Sequence, residues 1–140
     1  MNETELNHLK TAAEPLIQQL PEELEWLPDN RFNALMAEVP KPLFEFILPW
    51  LESEFGHKWD RSDIRKAPAE VKDGAGMFAK MENRQYLYSY LPGSNNRLMV
   101  AWWPWGPGAP ASLRIFLAAE VDEQQSGGIF AKILSVFKGK

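Results

Sequence analysis

The chain has 140 residues and a mass of 16.0 kDa, a size that fits one domain. Its composition, 45% hydrophobic and 24% charged, is close to that of an average soluble globular protein. The absence of cysteine excludes disulfides, thiolate nucleophiles and cysteine-ligated metal centres. The polar N-terminus MNETELNHLK is unlike a secretory signal, and no apolar run reaches the length of a membrane span. We therefore expect a bacterial, cytoplasmic protein with no membrane partner and no cofactor.

The net charge of −4 conceals an asymmetry along the chain. Residues 1–60 carry twelve acids and four Lys or Arg, a net −8, whereas residues 61–140 carry seven acids and eleven Lys or Arg, a net +4. An acidic half of this size argues against nucleic acid as a partner of the whole protein. The two halves are expected to attract each other across the fold.

The first 60 residues have the apolar spacing of helices. Apolar side chains recur at intervals of three and four in the first twenty residues, at Leu6, Leu9, Ala13, Leu16 and Leu20. This spacing places them on one face of a helix. Pro15 lies within the pattern and predicts either a kink or the start of another helix, because proline lacks a backbone donor.

Two further helices are expected before residue 60. Asp29 or Asn30 has the chemistry of an N-cap for a helix that carries Phe32, Leu35 and Met36. The next helix should begin near Pro42 and end at Gly56. Its body, LFEFILPWLESEF, is apolar around most of its circumference, which predicts burial within the chain or against another subunit. A homodimer is therefore expected.

Residues 61–121 change to the period of two that is typical of strands. The pair Asp73-Gly74 predicts a hairpin after a short strand over 69–72, and a second strand is expected over 76–81. The segments QYLYSYL, RLMVAWW and SLRIFLAAE predict the remaining strands. The short connections exclude crossovers and favour an antiparallel meander of four or five strands.

Residues 123–138 return to helical spacing. Six large apolar side chains fall on one side of the predicted helix: Ile129, Phe130, Ile133, Leu134, Val136 and Phe137. A cationic amphipathic helix can lie on an anionic membrane surface. Six such side chains are too many to leave exposed, so we expect the helix to dock on the sheet and not on a membrane. The predicted fold is a single α+β domain over 1–140, with helices over 1–60, a sheet over 61–121 and this final helix.

The segment AWWPWGPGAP contains three of the six tryptophans. Pairing Leu91 with Leu98 across the turn PGSNNR assigns the faces of the sheet. One face is aliphatic and is expected to be core: Leu87, Ser89, Leu91, Leu98, Val100, Trp102, Leu113, Ile115 and Leu117. Because Pro104 must end its strand, Trp105 is expected in the loop and more exposed than Trp102.

The opposite face is aromatic and gives the candidate binding residues. They are Tyr86, Tyr88, Tyr90, Trp103, Arg114 and Phe116, joined by Trp105 from the loop. Such a face can contact a protein or stack on a flat ligand, or the N-terminal helices can simply cover it. Trp105 has two possible roles: it packs on Pro107 or Pro110 within the chain, or it forms with them an aromatic–proline surface that accepts a peptide.

Catalytic signatures are absent from the sequence. His57, Asp60 and Asp63 have a spacing that would cluster them on a helix, but the second histidine usual in transition-metal sites is missing. Arg61 and Arg65 are expected to pair with these acids instead. No P-loop, nucleophile elbow or dinucleotide motif occurs, so no catalytic or metal-ligating residue is assigned. Whether the protein is an enzyme stays open.

Two functions remain from the sequence. The first is a non-enzymatic binding, adaptor or inhibitor-type protein that uses the aromatic sheet face, the tryptophan loop or the acidic residues Glu22, Glu23 and Glu25. The alternative is a small-ligand-binding or enzymatic domain with a pocket between the sheet and the N-terminal helices. A deep pocket at Tyr86, Tyr88 and Trp103 favours the alternative, and a filled face favours the first.

Overall fold

A six-stranded antiparallel sheet forms the centre of residues 1–120, the part of the chain that the computed structural model describes. The strands are β1 (Leu27–Asp29), β2 (Ala34–Val39), β3 (His57–Trp59), β4 (Tyr86–Ser89), β5 (Leu98–Pro104) and β6 (Ala111–Leu117), in the spatial order β1-β2-β6-β5-β4-β3. The helices in these residues are α1 (Glu3–Gln19), α2 (Phe44–Glu54) and α3 (Ala69–Ala75), with 3₁₀ turns at Lys41–Leu43, Ile64–Lys66 and Gly76–Ala79. The α+β class is confirmed, whereas the expected four or five strands are too few.

The first predicted helix is confirmed as α1. Asn2 and Glu5 form a capping box, in which each side chain accepts a hydrogen bond from the other residue's backbone N–H. Pro15 lies inside α1, which continues to Gln19, so no second helix begins at the proline. Leu9, Ala13 and Leu16 are buried, as the apolar spacing predicts.

The helix predicted after Asp29 is wrong, because this segment forms β1 and β2. Asn33 lies between the two strands with a φ of +52°, a left-handed conformation that asparagine tolerates. In β2 the side chains of Leu35, Ala37 and Val39 alternate into the core. β2 pairs along its whole length with β6, from Ala34 opposite Phe116 to Val39 opposite Ala111. The backbone of β6 needs a hydrogen-bonding partner on this side, and residues 34–39 supply it as a strand.

The helix predicted near Pro42 is confirmed as α2. Its buried side is formed by Ile47 and Leu51, and Phe44 packs edge-on against Trp102 with ring centroids 4.8 Å apart. Its outer side exposes Glu45 and Phe46. The apolar circumference of α2 is therefore only partly buried within the described chain.

The strands predicted over 69–72 and 76–81 are wrong. These residues form α3 and the 3₁₀ turn Gly76–Ala79. Gly74 lies in α3 and not in a hairpin, because α3 packs closely on the end of β6: a Cβ at Gly74 would lie 2.8 Å from the Ala118 Cβ. The backbone N–H of Ala119 donates to the Gly74 carbonyl at 2.9 Å. The strands β4, β5 and β6 form the expected meander.

The sheet is covered on both faces. On one face α1 and α2 pack over Trp102, Val100 and Ile115. On the other face residues 64–81 pack over Met99, Ala101 and Phe116. The N-terminal helices therefore lie on the sheet as expected, but a second helical layer replaces two of the predicted strands.

The register predicted between β4 and β5 is wrong by one residue. Tyr88 lies opposite Val100 and Ser89 opposite Met99, whereas pairing Leu91 with Leu98 places Ser89 with Val100. A shift of one residue moves every side chain of a strand to the other face. The three tyrosines therefore lie on the face of α1 and α2. The faces predicted for β5 and β6 are confirmed, since Trp102 pairs with Leu113 and Met99 with Phe116.

The helix predicted over 123–138 lies outside the described residues. None of the helices in residues 1–120 is long and apolar enough to cross a lipid bilayer.

An ion pair joins the edge strand β1 to β6 across β2. The Arg114 Nε donates to the Asp29 Oδ2 at 2.9 Å, and both side chains are largely buried. We expect Asp29→Asn to lower the free energy of unfolding by about 1.5 kcal/mol, because the partly buried guanidinium loses its counter-charge. Glu52→Gln is the matched control, since Glu52 pairs with Lys58 at 3.5 Å and is half exposed, and it should cost at most about 0.5 kcal/mol. Urea unfolding measures both; equal losses would contradict the expectation.

Candidate functional site

The structure divides the predicted binding residues between the two faces of the sheet. Tyr86, Tyr88 and Tyr90 lie on the side of α1 and α2, where Tyr88 is fully buried and the other two are partly buried. Trp103 and Phe116 lie on the opposite side. The seven residues therefore do not form one aromatic surface.

Each tyrosine has a different local partner. The Tyr90 hydroxyl donates to Glu54 of α2, and the Lys58 ammonium lies 4.1 Å from the Tyr86 ring centroid. The Tyr88 hydroxyl is buried and has no hydrogen-bond partner within residues 1–120. Burial raises the pKa of Tyr88, and nearby Glu52 raises it further. These contacts fill the space under α2.

An aromatic cluster around Phe78 occupies the other face. The Phe78 ring centroid lies 4.7 Å from that of Phe116, 5.2 Å from Phe32 and 5.4 Å from Trp103. The Arg114 guanidinium lies 4.8 Å from the Phe32 centroid. Phe116 and Arg114 are thus held by intramolecular contacts, whereas Trp103 stays partly exposed at the boundary of the cluster.

Trp105 is presented at the surface by an ordered hairpin loop. Its side chain is 64% exposed, whereas that of Trp102 is 2% exposed, which confirms the predicted difference. The indole N–H of Trp105 donates to the Ser112 Oγ at 2.8 Å. Its backbone N–H donates to the Pro110 carbonyl at 3.2 Å, and that of Ala109 donates to the Gly106 carbonyl at 3.0 Å. Gly106 has a φ of +138°, which favours glycine in this loop.

Two shallow grooves meet at Glu38, beside this loop. One groove, of about 370 Å³, lies between the connection Pro40–Pro42 and the loop residues Gly108 and Pro110. The other, of about 310 Å³, lies along β1 and β2 and is lined by Glu23, Glu25, Leu27, Met36 and Glu38. The two grooves and Trp105 are called the Glu38 surface below. Glu38 lies opposite Ser112 in the sheet, which is the hydrogen-bond partner of Trp105.

Sequence reasoning missed most of the Glu38 surface. The acidic candidates Glu22, Glu23 and Glu25 lie in the irregular segment between α1 and β1. Leu27 is 59% exposed because it lies on the short edge strand. The alternation of polar Glu38 with buried Ala37 and Val39 is the signal that could have placed Glu38 on a strand.

The residues His57, Asp60 and Asp63 do not share a helix. His57 lies on β3, where its Nε2 is 3.0 Å from the Pro92 carbonyl oxygen. The Asp60 carboxylate accepts hydrogen bonds from the Ser62 hydroxyl and from the backbone N–H groups of Ser62 and Asp63. These hydrogen bonds lower the pKa of Asp60. Within residues 1–120 no three His, Asp or Glu side chains are arranged to hold a metal ion.

The expected ion pairs of Arg61 and Arg65 with these acids do not form. The ion pairs in the described part of the chain are Arg114–Asp29 and Lys58–Glu52. The prediction is wrong because Asp60 and Asp63 are used to close their own turn: Asp63 accepts from the Asp60 backbone N–H at 2.7 Å. The side chains of Arg61 and Arg65 are exposed to solvent.

Comparison with protein families, with curated proteins and with solved structures found no match to this chain.

Replacing Tyr88 with Phe should stabilise the protein. A buried hydroxyl without a partner costs about 1–3 kcal/mol, so we expect Tyr88→Phe to raise the free energy of unfolding at pH 7 by about 1 kcal/mol. The control Tyr90→Phe should lower it, because the hydrogen bond to Glu54 is lost. Chemical denaturation measures both variants. A loss of stability in Tyr88→Phe equal to that in Tyr90→Phe would contradict the unpaired state of the Tyr88 hydroxyl.

The same substitution tests the direction of the pKa shift. Tyrosine in the unfolded chain ionises near pH 10, whereas Tyr88 in the folded chain stays neutral to higher pH. Its contribution to stability is therefore complete below pH 10 and is lost as the pH rises through the folded-state pKa. The stability of Tyr88→Phe should fall less steeply above pH 10 than that of the wild type. Identical slopes would show that Tyr88 ionises freely in the folded protein.

Proposed function

We propose that this chain is a non-enzymatic protein-binding module, of the adaptor or inhibitor type, that binds a basic segment of a partner protein at the Glu38 surface. The observation that carries the proposal is the exposed but ordered indole of Trp105. A side chain that is already fixed loses little conformational entropy when it binds. Tryptophan is also one of the residue types enriched where a few contacts supply most of the binding energy.

The charge of the surface supports a basic partner. Among residues 1–120, Glu23, Glu25 and Glu38 and no cation line the groove along β1 and β2, whereas Lys41 lines the other groove. Exposed Leu27 and partly exposed Met36 lie among these acids. A partner segment that alternates Lys or Arg with apolar residues matches this arrangement, because the carboxylates pair with its charges and the apolar side chains exclude water.

A small-ligand pocket formed by Tyr86, Tyr88 and Trp103 receives less support. Tyr86 and Tyr88 lie on one face of the sheet and Trp103 lies on the other, so these three residues do not converge. Tyr88 is fully buried under α2, and Phe55 stacks near Tyr90 with ring centroids 4.4 Å apart. Of these three residues, Tyr88 belongs to the core, whereas Tyr86 and Trp103 pack against it and stay partly exposed.

The homodimer remains a proposal that rests on α2. Phe46 is 53% exposed on the outer side of this helix, where a second copy could cover it. Sedimentation of the wild type and of Phe46→Ser at high concentration tests this contact. We expect a concentration-dependent dimer that the substitution weakens; a 16.0 kDa species at every concentration would overturn it.

Trp105→Ala should abolish most of the binding at the Glu38 surface. A photo-crosslinking residue at position 27, placed in the full chain in its native host, identifies the bound partner, whose affinity is then measured for each variant. We expect Trp105→Ala to weaken binding roughly 30-fold, because truncating a central tryptophan costs about 2 kcal/mol. Met77→Ala is the matched control, since Met77 is 67% exposed and lies outside the surface. An affinity unchanged by Trp105→Ala would exclude the loop from the interface.

The acidic groove is tested separately through its charge. The combined change of Glu23, Glu25 and Glu38 to Gln should slow association and flatten its dependence on salt, because attraction between opposite charges is screened by ions. Stopped-flow association rates between low and physiological ionic strength measure the effect. A salt-independent rate in the wild type would mean that the partner is not recognised by its positive charge.

A further inference from the structure

A groove at the opposite edge of the sheet concentrates positive charge. It has a volume of about 670 Å³ and lies between residues 60–65, which follow β3, and residues 79–84, which precede β4. Arg61, Arg65, Lys80 and Arg84 line it, with Asp60 as the acid in the lining. All four cationic side chains are exposed. In a protein with a net charge of −4, this local excess is not explained by composition.

None of the four cations is neutralised by a contact within residues 1–120. The ion pairs in this part of the chain involve other residues, namely Arg114–Asp29 and Lys58–Glu52. The Asp60 carboxylate is held by three hydrogen bonds of its own turn, at 2.7–3.0 Å. The described lining therefore carries four positive charges against the one negative charge of Asp60, and an anion bound there would offset this excess.

The backbone at Arg84 supplies an independent observation. Its φ is +69°, in the left-handed region that glycine and asparagine occupy more readily than arginine. A non-glycine residue held in this region destabilises the folded state. The turn is closed by a hydrogen bond from the Gln85 N–H to the Glu82 carbonyl at 3.2 Å, and within residues 1–120 the Arg84 side chain forms no ion pair. The guanidinium is thus placed at the groove at a cost in stability.

We propose that this groove binds a small ligand that carries two or more phosphate groups. Three guanidinium groups can each donate two parallel hydrogen bonds to phosphate oxygens, and the Lys80 ammonium adds a point charge. The volume lies in the range of small-molecule sites and exceeds the space of a single phosphate.

The composition of the lining favours phosphate groups over a nucleobase as the recognised part. Among the described residues, the lining contains no aromatic ring on which a base could stack. Its remaining polar side chains are those of Ser62 and Asn83, and its floor includes buried Ile64 and Met81. Because the groove lies at the β3 edge and the Glu38 surface at the β1 edge, the two proposals can fail independently.

Calorimetric titration of the full chain with inorganic phosphate, pyrophosphate and tripolyphosphate tests the proposal. The ionic strength is held constant at about 0.15 M, so that screening is the same in each titration. We expect the affinity to rise roughly tenfold with each added phosphate, because every new charge-assisted hydrogen bond contributes on this scale. Absence of binding by tripolyphosphate at about 1 mM would overturn the proposal.

Substitutions of the residues that line the groove test whether tripolyphosphate binds there. The double substitution Arg61→Gln with Arg65→Gln should weaken tripolyphosphate binding at least about tenfold. Arg84→Gly should weaken it too while the melting temperature stays equal or rises, because glycine accepts the positive φ. This opposite movement of affinity and stability separates a binding role from a structural one. Lys10→Gln, an exposed cation on α1, is the control and should leave the affinity unchanged.

Two further outcomes would overturn the assignment. Citrate carries a charge similar to that of pyrophosphate at neutral pH, so equal affinities would show that the groove attracts anions without recognising phosphate. Binding of a single-stranded RNA through Arg61 and Arg65, with tripolyphosphate inert, would make the groove a nucleic-acid surface.

Discussion

The burial of β5 on both faces is the constraint on which the rest of the structure depends. Every residue from Leu98 to Trp102 is buried, so neither face of the central sheet can be left to solvent. A sheet with two apolar faces requires a layer on each. Long helices α1 and α2 cover the face of Trp102. The second layer is a compact run of short helices over 64–81, which holds to the sheet through Phe78 and its contacts with Phe116 and Trp103.

The incomplete reach of this second layer determines where the candidate surfaces lie. Phe78 marks its boundary, and beyond it Met36 is only partly buried and Glu38 is exposed. The charge asymmetry of the sequence becomes a separation in space: acids collect along β1 and β2, and cations collect beside β3 and β4. A single ion pair, Asp29–Arg114, joins the acidic and basic halves of the chain within residues 1–120. The two edges therefore favour partners of opposite charge.

The sequence predicts the elements that carry an unambiguous period and misses those that do not. α1, α2 and the meander β4–β6 were all predicted, because each is long enough for one spacing to dominate. Leu35, Met36 and Val39 fit helical spacing, while Leu35, Ala37 and Val39 fit a strand, so local pattern cannot decide. Pairing with β6 decides it. The register of β4 also depends on a feature outside the local pattern, namely where the strand pairing ends before the turn. The last pair is Ser89 with Met99, and not Leu91 with Leu98.

The candidate sites differ in the same way. Trp105 could be predicted because Pro104 ends a strand locally, whereas the Glu38 surface combines segments that only the fold brings together. The cationic groove was hidden by a reasonable assumption, that neighbouring Asp and Arg residues pair. In the structure Asp60 and Asp63 accept hydrogen bonds from backbone N–H groups two or three residues away and do not pair with the arginines. A short side chain loses less conformational entropy in such a local hydrogen bond than two side chains lose in an ion pair. A turn that satisfies its own carboxylates leaves its arginines available to an external anion.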